Sequence, residues 1–208
     1  MSAQTSTSEA SPVMIPRSQR VRELTHDLHK SLENTVAEFA PTDTHAGFAR
    51  FVQMQYLFQS EIQGLYQDPE LIKLFPDLPE RCRVKAAEAD LADLGSSIPE
   101  AVPGALQSPA FAEALAWVRV SEGSKLGAAI LFKQAVGLGY SETRGARHLA
   151  EPAGGRARGW KAFNAIFDSL QLSAEEEAQV DKASRDAFAR LELLLRTVGK
   201  SQVKAQTV

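Results

Sequence analysis

A single cysteine, Cys82, stands in 208 residues. No internal disulfide can form, and such sparing cysteine usage fits a reducing cytosol. No apolar run approaches the roughly 20 residues needed to cross a bilayer, which argues against a membrane protein. The first sixteen residues are rich in Ser, Thr, Ala and Pro. They lack the basic-then-apolar order of a secretory leader, so the chain is expected in the cytoplasm. A formal charge of −3 gives no case for a nucleic-acid partner. No dinucleotide or flavin motif is present, so any redox chemistry needs electrons from outside the chain. Neither β-type alternation nor an internal repeat is visible.

Helical periodicity is what remains. Hydrophobic residues at 44% and charged residues at 24% suit one soluble domain with a substantial core. Over residues 17–38, Val21, Leu24, Leu28, Leu32 and Val36 recur at spacings of three and four. Pro41-Thr42-Asp43-Thr44 interrupts the pattern, and a second helix follows to about residue 66. Asp68-Pro69 restarts a short helix, and residues 81–94 form an alanine-rich helix stopped by Gly95. Residues 98–109, with three prolines and a glycine, read as an irregular link. A long helix over about 110–138 comes next, then a shorter element over 142–149 and a Gly154-Gly155 turn. A helix over 160–170 precedes the last one, which a capping box at Ser173-Ala174-Glu175-Glu176 opens and which runs to about residue 198. The expected fold is all-α and single-domain over residues 17–198, with frayed tails at 1–16 and 199–208.

Two local features carry chemistry. Glu122-Gly123-Ser124-Lys125-Leu126-Gly127 places two glycines one turn apart inside the long helix. A helix-interior glycine costs about 1 kcal/mol relative to alanine. Close packing of a neighbouring helix accounts for the pair; so does a backbone that must approach, and bend around, something flat and bulky. The second feature is His29, at the edge of the first apolar stripe, with Glu33 one turn on. The two form either a surface pair or a metal-ligand histidine whose second nitrogen is oriented by a carboxylate. His26 and His29 are three apart, but no HExxH, CxxC or repeated carboxylate–histidine pattern supports a metal held by side chains alone.

Together these features resemble heme oxygenase, in particular its bacterial biliverdin-producing branch. Further blocks match the family in order: Phe48-Ala49-Arg50-Phe51-Val52 through Gln55-Tyr56-Leu57-Phe58, Ala89-Asp90-Leu91-Ala92-Asp93-Leu94-Gly95, and residues 121–133. Gly145-Ala146-Arg147-His148-Leu149-Ala150, Gly155-Arg156, Trp160-Lys161-Ala162-Phe163 and Ala187-Phe188 follow. The resemblance covers residues 17–198.

It implies a multihelical fold with heme between the first, proximal helix and a kinked glycine-rich distal helix. His29 would ligate the iron, oriented by Glu33. Gly123, Ser124 and Gly127 would bring the distal backbone almost onto the ring, so that water replaces a side-chain acid as proton donor. Oxygen is then directed at a meso carbon of the heme, which is cofactor and substrate at once. The implied products are biliverdin, carbon monoxide and ferrous iron. Gln55, Arg83, Lys125, His148 and Trp160 would hold the distal waters, although some relatives have asparagine where Lys125 stands and histidine where Gln59 stands. Arg17, Arg20 and above all Arg22 would face the propionates, with Phe188 and Arg185 along the heme edge. A subset of the family with a rotated heme has asparagine at the position of Arg22, an aromatic at Arg119 and lysine at Gln134. All three differ here, so cleavage is expected at the α-meso carbon. A ferredoxin or an NADPH-dependent reductase would supply electrons, and the bilin would serve iron release or a bilin-binding photoreceptor. The alternative is a non-catalytic heme carrier or sensor on the same fold.

Overall fold

Helix follows helix through the described residues of the computed structural model, 15–205, whose side chains are described as far as residue 200. Residues 1–14 and 206–208, within the expected tails, lie outside them. The elements are α1 (Arg17–Leu24), α2 (His26–Phe39), α3 (His45–Glu61), α4 (Pro69–Leu74), α5 (Val84–Asp93), α6 (Phe111–Gly137), α7 (Arg156–Ser169) and α8 (Ala174–Ala205). Isolated bridges at Ser141 are the extent of β pairing among the described residues.

The local chemistry explains most boundaries. Thr44 caps α3 by accepting from the Gly47 amide, and Asp68 caps α4 by accepting from the Glu70 and Leu71 amides. The reciprocal bonds of the expected capping box open α8: the Ser173 amide donates to Glu176 at 2.8 Å and the Glu176 amide to Ser173 Oγ at 3.2 Å. Gly95, at φ +63°, closes α5 with the Ser96 amide bonded back to the Leu91 carbonyl.

Three expectations are corrected. The first helix is two, parted at Thr25, whose backbone (φ −103°, ψ 3°) leaves the helical region and whose hydroxyl donates to the Val21 carbonyl at 2.8 Å. The second helix ends at Glu61, and Gln63–Gln67 is a 3-10 turn. The element over 142–149 reduces to a 3-10 turn, Arg147–Leu149.

Helix α8 is the mast of the fold. It packs on α6, α2 and α3, burying Val180, Ala183, Ala187, Leu191, Leu194, Leu195 and Val198. Helices α1 and α2 lie parallel to it in one register. Arg17 meets Glu177 (160 residues apart) at 2.6 Å, Arg20 meets Asp181 (161 apart) at 2.9 Å, and Ser31 meets Glu192 (161 apart) at 3.3 Å. At the far end the Phe39 ring lies so close to Gly199 that a Cβ there would sit 2.7 Å from it. Arg17 and Arg20 are thus committed to α8, and Arg17 also donates to the Phe167 and Leu170 carbonyls. Neither is free to meet a propionate, contrary to the expectation from their clustering.

The irregular link before α6 is held by a second buried cation. Arg190 donates to both carboxylate oxygens of Glu61, at 2.8 and 2.5 Å, and to the Pro103 and Val102 carbonyls at 2.8 and 2.6 Å. Both side chains are under a tenth exposed. Replacing one partner leaves the other charged and unpaired in the interior. Arg190→Ala is therefore expected to lower stability by about 3–5 kcal/mol, read from urea denaturation.

Candidate active site

The first half of α6 is buried on every side: from Ala112 to Glu122 only Glu113 is less than fully covered. Beyond Gly123 the helix emerges, and one face looks across a cavity of about 570 Å³ at α2. His29, Leu32, Glu33 and Val36 form the α2 wall; Ser124, Gly127, Ala128 and Leu131 form the α6 wall. Phe51 and Met54 from α3 add to the apolar middle, and Leu191 of α8 reaches it too. Polar side chains gather at one side, where Gln55, Gln59, Arg83, Ser121, Lys125 and His148 line the cavity.

His29 stands on the open side, its side chain 60% exposed. Its Nδ1 is 3.3 Å from Glu33 Oε1, and Phe188 meets the imidazole edge-on with ring centres 5.9 Å apart. Glu33 and Phe188 thus flank the imidazole. Among the described residues no three His, Cys, Asp or Glu side chains gather as a metal cluster. A lone imidazole facing an apolar slot suits a group that brings its own in-plane donors.

The paired glycines have different jobs. A Cβ added at Gly127 would meet nothing within 4 Å, and Gly127 lines the cavity. A Cβ at Gly123 would sit 3.2 Å from Trp160 Cη2. Gly123 and Trp160 lie off the cavity, packed on each other. Behind Trp160, the Arg119 guanidinium stacks over the Trp160 and Phe167 rings at 5.2 and 5.0 Å and donates to the Ser18 carbonyl at 2.9 Å. Burial pushes its pKa down to about 10, with Asp168 opposing. Arg119 thus faces away from the cavity, as a packing cation. Gln134 does line it, and accepts from Thr42 Oγ1 at 2.6 Å. Arg22 is exposed and forms no ion pair with the described residues, and Arg185 is exposed. Neither Arg22, Arg185 nor Phe188 lines the cavity itself.

On the polar side, four of the five expected water-holding residues come together: Gln55, Arg83, Lys125 and His148. Arg83 donates to the Arg147 and Ala150 carbonyls at 3.4 and 3.3 Å, and burial lowers its pKa. Lys125 donates to Glu122 at 2.5 Å and to the Arg81 carbonyl at 3.1 Å; burial outweighs Glu122 and lowers its pKa too. Behind them, Ser121 Oγ is shared by Gln59 and Tyr66, each at 2.7 Å, and the Tyr66 hydroxyl donates to Glu122 at 3.0 Å. Burial, then Glu122, pushes the Tyr66 pKa well up, so it stays a neutral donor. His148 Nδ1 lies 2.8 Å from Asp90, and its buried Nε2 has no partner among the described residues. Asp90 and Ser121 fall in blocks that match the family but received no role in the sequence reading, and Tyr66 received none either. A further signal was Asp90 and Asp93, three apart in an alanine-rich apolar helix.

Comparison with known proteins gives one answer. The family model for heme oxygenase matches residues 16–197. Heme oxygenase PigA of Pseudomonas aeruginosa is 51% identical over 183 residues, covering 87% of this chain and 92% of that protein. A heme oxygenase of Xanthomonas campestris is 34% identical over 121 residues, 55% of this chain and 68% of its own length. Among solved structures, NO- and CO-bound heme oxygenase from Neisseria meningitidis superposes with a TM-score of 0.83 at 34% identity, covering 90% of this chain and 94% of that one. Heme oxygenase-1 of the cyanobacterium Synechocystis, solved in complex with heme, shares the fold at a TM-score of 0.64 and 16% identity, over 93% of this chain and 96% of that one.

The two glycines should separate experimentally. In the ligand-free protein Gly127→Ala is expected to raise stability by up to about 1 kcal/mol, since the new methyl enters open space. Gly123→Ala should forfeit that gain by displacing the Trp160 indole. Urea denaturation midpoints of the two variants measure the difference.

Proposed function

Because the chain belongs to the heme oxygenase family, and is thus an enzyme of heme cleavage, we propose that its substrate heme occupies the cavity between α2 and α6 and opens there to biliverdin, carbon monoxide and ferrous iron. The supporting observation is the pairing of one oriented imidazole, His29, with a bare glycine, Gly127, across an apolar slot. Bound heme supplies the iron that activates dioxygen and the meso carbons that are attacked.

The chain's own residues do the rest. His29 binds through Nε2, with Glu33 Oε1 3.3 Å from Nδ1 to orient the imidazole and Phe188 against the ring edge. Gly127 and Ser124 bring the α6 backbone close and keep acidic side chains away from the reacting face. Gly123 acts one layer back, seating the helix on Trp160. Gln55, Arg83, Lys125 and His148 hold ordered water and with it the protons. Leu32, Val36, Phe51 and Met54 exclude bulk water from the other side. Arg22, exposed on α1 with no ion pair to the described residues, would meet a propionate, and cleavage falls at the α-meso carbon. The reading of the isomer follows from the resemblance, in which Arg22, Arg119 and Gln134 all differ from the rotated-heme subset. No helix among the described residues is long and apolar enough to cross a membrane. The enzyme works in the cytoplasm, takes electrons from a ferredoxin or an NADPH-dependent reductase, and serves iron release or supply of a bilin-binding photoreceptor. A carrier or sensor would profit from a second iron ligand on α6; that helix lines the cavity with Ser124 and Gly127, and Lys125 is bonded to Glu122.

Stoichiometric hemin should give a Soret band that is lost on adding reductant and oxygen, as free-biliverdin absorbance appears. His29→Ala should lower this turnover at least about 100-fold, in line with removal of the sole protein ligand. A Soret band that persists in the wild type would identify a carrier. Chromatography of the product should show the α isomer, and dominant β or δ isomers would overturn that assignment.

A further inference from the structure

Helix α5 ends with two carboxylates about one turn apart, and both reach the loop over residues 140–150. Asp93 accepts from the Gly145 amide at 2.9 Å and from the Arg147 guanidinium. Asp90 is fully buried. Its Oδ1 accepts from the Arg147 amide at 3.0 Å and the Arg147 guanidinium at 3.1 Å; its Oδ2 accepts from the His148 amide and from His148 Nδ1, both at 2.8 Å. Burial alone would raise the carboxyl pKa, but hydrogen bonds from His148 and from the two backbone amides outweigh it and hold Asp90 below the usual range. An ionised carboxylate only accepts, so the proton of a neutral His148 sits on Nδ1. Its Nε2 is then a buried lone pair with no partner among the described residues, on a residue that lines the cavity.

Anchoring the loop requires the backbone amides and Arg147, and Asp93 shares that work. The bond from Asp90 to the imidazole goes beyond anchoring. We propose that Asp90 is a positioning residue that holds His148 as the Nδ1–H tautomer and so makes Nε2 the proton acceptor of the cavity's polar side. The inference builds on heme occupying that cavity. Nε2 takes a solvent proton from cavity water, the imidazolium is stabilised by Asp90, and the same proton returns to water at the reacting face. No electrons move in this step. The groups around His148 are Asp90 from α5, Arg147 on its own turn, Arg83 ahead of α5, and Lys125 on α6, with Glu33 and Asp43 elsewhere on the cavity wall. From α3 it meets the uncharged rings of Phe48 and Phe51, at 6.3 and 6.2 Å.

Nitrogen-15 NMR of the heme-free protein reads the tautomer directly. In the wild type, neutral His148 should carry its proton on Nδ1, with Nε2 bare. Asp90→Asn should abolish that preference. Asp93→Asn, which removes only an anchor, should leave the tautomer in place. In the hemin-loaded enzyme, heme turnover should fall in Asp90→Asn and hold in Asp93→Asn. A wild-type His148 protonated on Nε2 overturns the proposal even if Asp90→Asn does not fold. Equal effects of the two variants reduce Asp90 to a loop anchor and overturn it too. If the NMR result holds while the wild type fails to bind hemin, the cavity reading fails instead.

Discussion

Helix α2 can hold His29 toward the cavity only because α8 fixes it along its whole length. The parallel register is set at one end by Arg17 and Arg20 on Glu177 and Asp181. It continues through Ser31 and Thr35 on Glu192, and Arg196 stacks over the Phe39 ring at 5.2 Å. The same α8 is the main packing partner of α6. The two walls of the cavity are therefore positioned against one shared element. Phe188, which steadies the imidazole, comes from that element as well.

Stability and function pull apart within α6. Its first half is ordinary interior helix, covered on every side. Its second half carries helix-weakening glycine, exposed Ile130 and the open space at Gly127. The cost of a helix-interior glycine is about 1 kcal/mol, and a buried nitrogen without a partner, such as His148 Nε2, adds roughly 1–3 kcal/mol. Both costs fall on residues that line the cavity. Other interior polar groups are bonded within the protein, around Tyr66, Ser121 and Glu122 and between Arg190 and Glu61.

What was legible in the sequence was short-range. Spacings of three and four marked the helices, the capping box marked the start of α8, and His29 with Glu33 stood one turn apart on the wall where the structure places them. What stayed hidden depends on partners far along the chain. Nothing local to Arg17 and Arg20 says that α8 will claim them, so they read as cations waiting for a ligand. Gly123 and Gly127 look alike in sequence, yet only the placement of Trp160 from α7 separates a packing glycine from an open one. Asp90 received no role for the same reason, because its partners lie 57 and 58 residues away on a loop with almost no regular structure. The Thr25 break, the early end of α3 and the 3-10 turn at Arg147–Leu149 were local misses, since none of them disturbs the apolar pattern.

The constant offset between the first two helices and α8 also bears on how the chain tolerates changes of length. A residue inserted in a helix turns everything beyond it by about 100°. One extra residue between Arg20 and Ser31, or between Asp181 and Glu192, would rotate the downstream contacts off their partners and turn His29 or Phe188 away from its place. The link held by Arg190 and the loop held by Asp93 are anchored at a few points and can absorb an added residue between them. Chain length is thus a guarded quantity in two stretches and an open one in the rest, and lineages of this fold should drift in size through their links while the helix-to-helix spacing stays fixed.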